Sequence, residues 1–234
     1  MGKNLRQQAR GKGGPRYRSP GHRFPGAVSY RYIPANVKHG IVENIIDAPG
    51  RHVPLAVVNF DGKKVLQIPH EGIRVNQKIN FETPETGNIL QLRSITEGTK
   101  IYNIELNPGD GGKVCRSSGS FSMLTTKEGN RCTLLLPSGK KKVISADCRA
   151  TIGTVAGSGR LSKPFMKAGT KYHAMRAVNR LWPRTSGISM NPVDHPFGGK
   201  TKPGKHKTVS RDMPPGKKVG SISASRTGKK KRKG

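Results

Sequence analysis

Acidic residues are nearly missing from both ends of this 234-residue chain. None occurs in residues 1–42, and only Asp194 and Asp212 occur from Arg160 to Gly234. Residues 1–40 carry 9 Lys or Arg and no acids, 41–159 carry 15 and 11, and 160–234 carry 20 and 2, for a net charge of +31. Cationic ends of this kind repel themselves, which disfavours a compact isolated state for them. A polyanion removes that repulsion and releases its own counterions on binding, so nucleic acid is the first expected partner. Apolar residues are also scarce: 32% are hydrophobic and 5% aromatic, with a single Trp. That confines a packed core to the charge-balanced centre of about 120 residues. The longest apolar stretches, such as Leu55 to Val58, are far too short to span a bilayer, and nothing resembles a secretory leader. Cysteine is limited to Cys115, Cys132 and Cys148, with no C-x-x-C pair, which argues against a disulfide framework and for a reduced, intracellular compartment.

Catalytic and cofactor motifs are absent as well. No G-x-x-x-x-G-K-[ST] loop occurs, since Gly153 to Gly159 is followed by Arg160 and Leu161. No G-x-S-x-G elbow occurs either, because Gly187-Ile188-Ser189-Met190 continues with Asn191. There is no H-E-x-x-H, and the dispersed histidines and cysteines lack zinc spacing, so the cysteines read as small apolar core residues. Asp194 and His195 are adjacent, but neighbouring side chains in extended backbone point apart, a poor arrangement for an acid–base dyad. The chain is expected not to be an enzyme and to carry no cofactor of its own, any Mg²⁺ at its surface being associated with RNA.

What is present reads as β structure. From His39 to Phe81, short β-rich runs alternate with turn signals: 40–46, 55–60, 65–68 and 75–81. Asp61-Gly62 is a strong hairpin dipeptide because both central residues of its turn need positive φ. A small barrel or sandwich is expected here, with the oligonucleotide-binding barrel a good candidate. A second meander runs through 101–106, 121–126, 131–136, 141–146 and 149–155, turning at Asn107-Pro108-Gly109, Gly129-Asn130 and Pro137-Ser138-Gly139. Several strands joined by tight turns resemble an SH3-like barrel; one larger β-domain is the competing architecture. Beyond Gly159 the spacing of Ala174, Ala177, Val178 and Leu181 predicts a helix over Lys171 to Trp182, stopped by Pro183. Arg176 and Arg180 would then lie one turn apart on another face, free of an acidic neighbour and suited to straddling phosphates. The plainer alternative is a helix that caps the second barrel. The expected division is a basic arm 1–33, an oligonucleotide-binding barrel 34–98, an SH3-like barrel 99–170, and a short helix with a second basic arm over 171–234.

The arms interleave cations with Gly, Pro and aromatic residues. Glycine lets backbone approach RNA, proline holds the chain extended, and arginine offers bidentate phosphate contacts. In the first arm the expected RNA contacts are Lys3, Arg6, Arg10, Lys12, Arg16, Arg18, Arg23 and Arg31, with Tyr17, Phe24, Tyr30 and Tyr32 as rings for splayed bases. In the second they are Arg176, Arg180, Trp182, Arg184, Asn191, His195, Lys200, Lys202, Lys205, Lys207, Arg211, Lys217, Lys218 and Arg226, and Arg149 joins them from the centre. The lysine-rich end, 229–233, reads equally as a localisation signal.

One segment carries a resemblance. Ser189-Met190-Asn191-Pro192-Val193-Asp194-His195-Pro196-Phe197-Gly198-Gly199 resembles the signature of the ribosomal protein L-2 family of the large ribosomal subunit. The opening Gly2 to Pro20, Ile104 to Gly112, Leu136 to Gly139, Cys148 to Gly153 and Arg211 to Gly220 are similar to its archaeal and eukaryotic branch, so the likeness covers essentially the whole chain. Thr185-Ser186-Gly187 and Lys200 depart from the usual pattern, which has a basic residue before the first glycine and a third glycine after Gly198-Gly199. The resemblance implies an oligonucleotide-binding barrel followed by an SH3-like barrel, with arms threading into large-subunit ribosomal RNA. It further implies a cytoplasmic protein that supports subunit association, transfer-RNA binding and peptide-bond formation. Small-subunit RNA at an inter-subunit bridge and other ribosomal proteins are the further implied partners, and the segment around His195 would lie nearest the peptidyl transferase centre. For His195 itself, a proton-transfer role competes with a histidine that orders the Pro192–Pro196 turn. A free RNA chaperone with two β-barrels is the alternative function, and an enzyme the least favoured class.

Overall fold

Short runs of alternating burial, several closed by a residue at positive φ, make this chain mainly β. The structure, a computed structural model, describes residues 6–18, 21–34, 37–199 and 207–224. In order the strands are β1 (His39–Ile46), β2 (Leu55–Phe60), β3 (Lys63–Gln67), β4 (Lys78–Asn80), β5 (Ile89–Gln91), β6 (Lys100–Tyr102), β7 (Ser122–Glu128), β8 (Arg131–Leu135), β9 (Lys141–Ser145), β10 (Arg149–Ile152), β11 (Thr208–Val209) and β12 (Ser221–Ile222). Among the described residues two α-helices accompany them, α1 (Arg6–Gly11) and α2 (Ala168–Ala177). Two compact units result: Pro20–Val178, and the terminal stretches Met1–Ser19 with Asn179–Gly234.

The first antiparallel sheet has the order β3-β2-β1-β4. Its β2–β3 hairpin turns at Asp61 and Gly62 with φ of 48° and 85°, the double positive φ expected of that dipeptide. A bulge between Val42 and Asn44 bends β1 around the core of Tyr30, Val42, Val58, Phe60 and Ile79. Gly40 is required at that bend: a Cβ there would stand 2.6 Å from Phe60 Cδ1. The second sheet, β5-β10-β6-β7-β8-β9, encloses Leu92, Ile101, Leu124, Leu134 and Ile152 together with Cys132 and Cys148. This is the expected order of an oligonucleotide-binding type of barrel sheet followed by an SH3-like one. The strands β5 and β6 both belong to the second sheet, although β5 falls within the segment 34–98.

Several local expectations are corrected. The run 101–106 is strand only through Tyr102, because Asn103 takes φ 50° and ends it; Ile104 keeps a single bridge to Val114. The run 75–81 shortens to β4, since Asn76 sits at φ 66°. The predicted helix 171–182 begins earlier and stops at Ala177: Val178 is its C-cap and Asn179, at φ 55°, provides the left-handed exit. Arg180 and Trp182 therefore lie outside the helix. None of the ten residues of α2 is buried, which leaves little for a barrel cap to gain.

Within Pro20–Val178 the two sheets are fused. Val28, Ala48, Val53, Leu55, Ile68, Tyr102 and Val155 form an apolar cluster, and Tyr102 Oη donates to the Ile68 carbonyl at 3.0 Å. Backbone bonds run along the same seam, from Ala156 N to Pro69 O at 3.0 Å, Glu71 N to Thr154 O at 2.9 Å and Gly87 N to Ile152 O at 2.9 Å. Val28 and Tyr30, in a segment expected as extended arm, are instead buried in the core. Tyr30 is fully buried, its N–H donates to Gly111 O at 3.1 Å, and its hydroxyl pairs with Thr151 Oγ1.

Candidate nucleic-acid interface

The two terminal stretches carry far more bases than acids. Eleven of the 13 acids fall within 41–159. Lys64–Glu43, Arg93–Asp147, Lys113–Asp110 and Arg149–Glu105 pair there with basic partners from the same part of the chain. Of the expected RNA contacts, Arg10, Lys12, Arg16, Arg18, Arg23, Arg176, Arg180, Arg184, Asn191, Lys207, Arg211, Lys217 and Lys218 are all exposed. Trp182 and His195 are half-buried. Lys3, Lys200, Lys202, Lys205 and Arg226 lie outside the described residues; Arg6 begins α1, but its side chain does too.

Arg31 and Arg149 are engaged internally. Arg31 is exposed but its Nε donates to Gly109 O at 2.9 Å. The Arg149 guanidinium sits 5.5 Å from the Tyr30 ring centre and donates through Nη2 to Glu105 Oε1 at 3.0 Å. Glu105 is fully buried and also accepts from the backbone N–H of Gly111 at 3.0 Å and of Arg149 at 2.9 Å. Tyr30, expected as a stacking ring, is correspondingly unavailable: burial pushes its phenol far above the ordinary range, and no face of the ring meets solvent. Tyr32 and Phe24 remain 46% and 38% exposed and keep the geometry for stacking.

The second terminal stretch gathers Asn191, His195, Lys207, Arg211, Lys217 and Lys218 around one ordered loop. Asp194 N and His195 N both donate to Asn191 O, at 3.0 and 3.2 Å, and Gly198 N returns to His195 O at 2.9 Å. His195 Nδ1 accepts from Phe197 N–H at 3.0 Å, so the proton of the neutral ring is on Nε2. Its ring lies 4.9 Å from that of Phe197 and packs on Gly187, where any Cβ would collide with it. Phe197 in turn packs on Gly220, at the start of the parallel β11–β12 pair that carries Arg211, Lys217 and Lys218 between its strands. His195 thus ties Phe197 and Gly187 into this loop.

Two arginines escaped the sequence reading. Arg116 is half-buried, with Nη1 on Gly112 O at 3.0 Å and Nη2 on Val28 O at 2.9 Å. Arg51 stands exposed in the β1–β2 loop. Arg51 follows the Pro49-Gly50 turn and Arg116 follows Gly111-Gly112, and neither belongs to an arm, where the cations cluster along the chain. The thiols offer no nucleophile: burial raises Cys115 and Cys148 to about 11, and Cys132 is raised for the same reason. No group of three potential metal ligands occurs among the described residues. Among them, too, no helix is long and apolar enough to cross a membrane.

Comparison with known proteins agrees with this geometry. Residues 85–219 match the family described as Ribosomal Proteins L2, C-terminal domain. The chain is 46% identical to the large ribosomal subunit protein uL2 of Methanothermobacter thermautotrophicus, over 99% of this chain and 100% of that one. It is 48% identical to the protein of the same name from Methanococcus aeolicus, over 98% and 100%. The Korarchaeum cryptofilum protein is 44% identical over 100% and 98%.

Proposed function

Because this chain belongs to the uL2 family of large-ribosomal-subunit proteins, we propose that it is a structural, RNA-binding component of the large ribosomal subunit in the cytoplasm. The observation that carries the reading is the contrast between its parts. A fused pair of barrel sheets forms a compact unit with near-balanced charge, while the terminal stretches expose cation after cation with two acids among them. A compact folded unit sets position, and exposed Lys and Arg neutralise phosphates along folded RNA. Large-subunit ribosomal RNA is the main partner in this reading, with other ribosomal proteins alongside.

The finer roles follow from the same reading. The His195 loop and the β11–β12 hook lie near the peptidyl transferase centre and support transfer-RNA binding and peptide-bond formation by shaping RNA. An outer surface contacts small-subunit RNA at a bridge and so supports subunit association. Any Mg²⁺ between arm and RNA belongs to the RNA. His195 is a positioning residue, since its Nδ1 is already occupied by Phe197 N–H.

Sucrose-gradient sedimentation of a tagged copy in its own cells, with high-salt washing, tests the proposal. Six to ten generic phosphate contacts lose roughly 10³–10⁵ in affinity between 50 and 200 mM salt. A protein interlocked with folded RNA stays with the large subunit at near-stoichiometric level. Release into light fractions with diverse RNAs attached would instead identify a free RNA chaperone. His195→Ala that assembles normally yet abolishes single-turnover peptide transfer would overturn the positioning role.

A further inference from the structure

Two Asp-Gly dipeptides occur in the chain, Asp61-Gly62 and Asp110-Gly111, and the fold treats them in opposite ways. Both glycines stand at positive φ, 85° and 89°, so both dipeptides make turns. Such a pair is chemically labile, because glycine has no side chain to screen its amide nitrogen from the aspartyl carboxyl beside it. The second pair is clamped. Asp110 Oδ2 accepts from Leu106 N at 3.1 Å and Asn107 N at 3.3 Å, and Oδ1 accepts from Gly112 N at 3.3 Å. Gly111 N in turn donates to the buried Glu105 carboxylate at 3.0 Å, and a Cβ on Gly111 would strike Ser29. Burial opposes ionisation of Asp110, but those backbone donors and Lys113 outweigh it. They hold the carboxyl below its ordinary range, away from the neutral form that reacts.

Asp61-Gly62 has none of these restraints. Both residues are exposed at the tip of the β2–β3 hairpin, and nothing lies within 4 Å of where a Gly62 Cβ would stand. Among the described residues the Asp61 carboxyl makes no hydrogen bond or ion pair. The Gly62 N–H donates to the neutral Asn59 Oδ1 at 2.9 Å, with Asn59 oriented by its own bond to Glu43. A turn with two positive φ values favours Asp-Gly, and here it places the labile dipeptide where nothing shields it.

We propose that Asp61 is a site of isoaspartate formation, and with it of carboxyl methylation, which the fold leaves open while it protects Asp110. The Gly62 nitrogen attacks Asp61 Cγ. The N–Cγ bond forms, the Cγ–O bond breaks, and the amide proton leaves with the hydroxyl as water. Water then opens the five-membered imide at either carbonyl, giving back aspartate or giving isoaspartate, whose main chain runs through the former side chain. One water leaves and one returns, so the step needs no oxidant or cofactor. The α-carboxylate freed in isoaspartate accepts a methyl group from a sulfonium methyl donor held by a carboxyl methyltransferase. The extra main-chain carbon removes the pair of positive φ values that sets the Phe60↔Lys63 and Val58↔Val65 register. Conversion therefore loosens β3 at the edge of the first sheet.

The test ages the full folded chain at neutral pH and then digests it with trypsin. Peptides 52–63 and 101–113 each hold one of the two dipeptides. They are read by chromatography with mass spectrometry, and by methyl transfer from labelled S-adenosylmethionine with an isoaspartyl methyltransferase. Peptide 52–63 should accumulate an isomer of unchanged mass that takes the label, with a minor imide lighter by one water. Peptide 101–113 should lag by about tenfold or more, since each hydrogen bond to a charged group that must break costs a factor of that order. In guanidinium chloride, where neither turn persists, the two should convert at like rates. Asp61→Glu, whose longer side chain disfavours the ring, should remove the label from 52–63 and so separate Asp61 from Asn59 in the same peptide. Equal conversion of both peptides in the folded chain, or conversion of either only after denaturation, overturns the proposal. Label in 52–63 that persists undiminished in Asp61→Glu overturns it as well.

Discussion

Replacing Glu105 by glutamine is the most exacting check on how the centre is held. The carboxylate is fully buried and its two oxygens divide the surrounding donors. Oε1 accepts from Gly111 N and Arg149 Nη2, both at 3.0 Å; Oε2 accepts from Arg149 N at 2.9 Å and from Gly109 N at 3.3 Å. An amide replaces one oxygen by NH₂, so in either orientation at least two N–H donors lose their acceptor. Leaving a buried donor unsatisfied costs about 1–3 kcal/mol. The lost charge attraction adds less than a fully buried pair would, because the Arg149 side chain is 31% exposed. The total is about 3 kcal/mol, a large part of the roughly 5–15 kcal/mol available to a folded domain. Urea unfolding of the refolded protein at neutral pH reads this directly. With an m-value of about 2 kcal/mol/M, the midpoint should fall by about 1.5 M. A fall below about 0.3 M with unchanged m would refute the assignment of Glu105 as the bolt between Arg149, the Gly109–Gly111 turn and the second sheet. The same loss should appear with RNA absent, which separates this role from an RNA contact by Arg149.

Other perturbations address the remaining joints. Gly111→Ala forces a side chain into φ 89° and onto Ser29, with the new Cβ also 3.2 Å from Arg31 Cγ; it should cost about 2–4 kcal/mol and expose the Tyr30 amide to hydrogen exchange, and unchanged protection of that amide would sink the docking of residues 28–32. Burial holds the His70 imidazole below its ordinary value, so the unfolded chain binds the proton more readily. Stability should therefore fall as pH drops from about 6.5 towards the lower folded value and level off beneath it, and His70→Gln should flatten that part of a denaturation profile. Gly198→Ala drives a Cβ into the Asn191 carbonyl and to 2.5 Å from Met190 O; large-subunit retention should drop while the urea midpoint of the barrels stays within experimental scatter. Equal loss of both would mean that the His195 loop is needed for the barrels to fold.

Much of the molecule was legible along the chain because the signals are local. Charge segregation needs only counting, and Asp61-Gly62 or Gly129 announce their hairpins because few residues tolerate the backbone those turns demand. Alternation placed most strands of both sheets within a residue or two. The failures have the same origin in reverse. Asn103 and Asn179 each end an element early, and Asn76 delays the start of β4, by taking positive φ, a conformation that asparagine tolerates but its identity does not impose. The motif Cys148 to Gly153 announced a family, yet nothing nearby says that Arg149 will face Glu105, 44 residues away. Tyr30 looked like one more aromatic residue in a basic arm, and its burial depends on Thr151, 121 residues distant. Arg51 and Arg116 belong to no cluster in sequence. By itself the sequence determined composition, turn chemistry, strand alternation and the cationic character of both ends, since each depends on neighbours within a few residues. Tertiary structure alone decided which cations remain free for a polyanion and which are spent inside, because that depends on which distant carboxylates and carbonyls the folded chain brings within hydrogen-bonding distance.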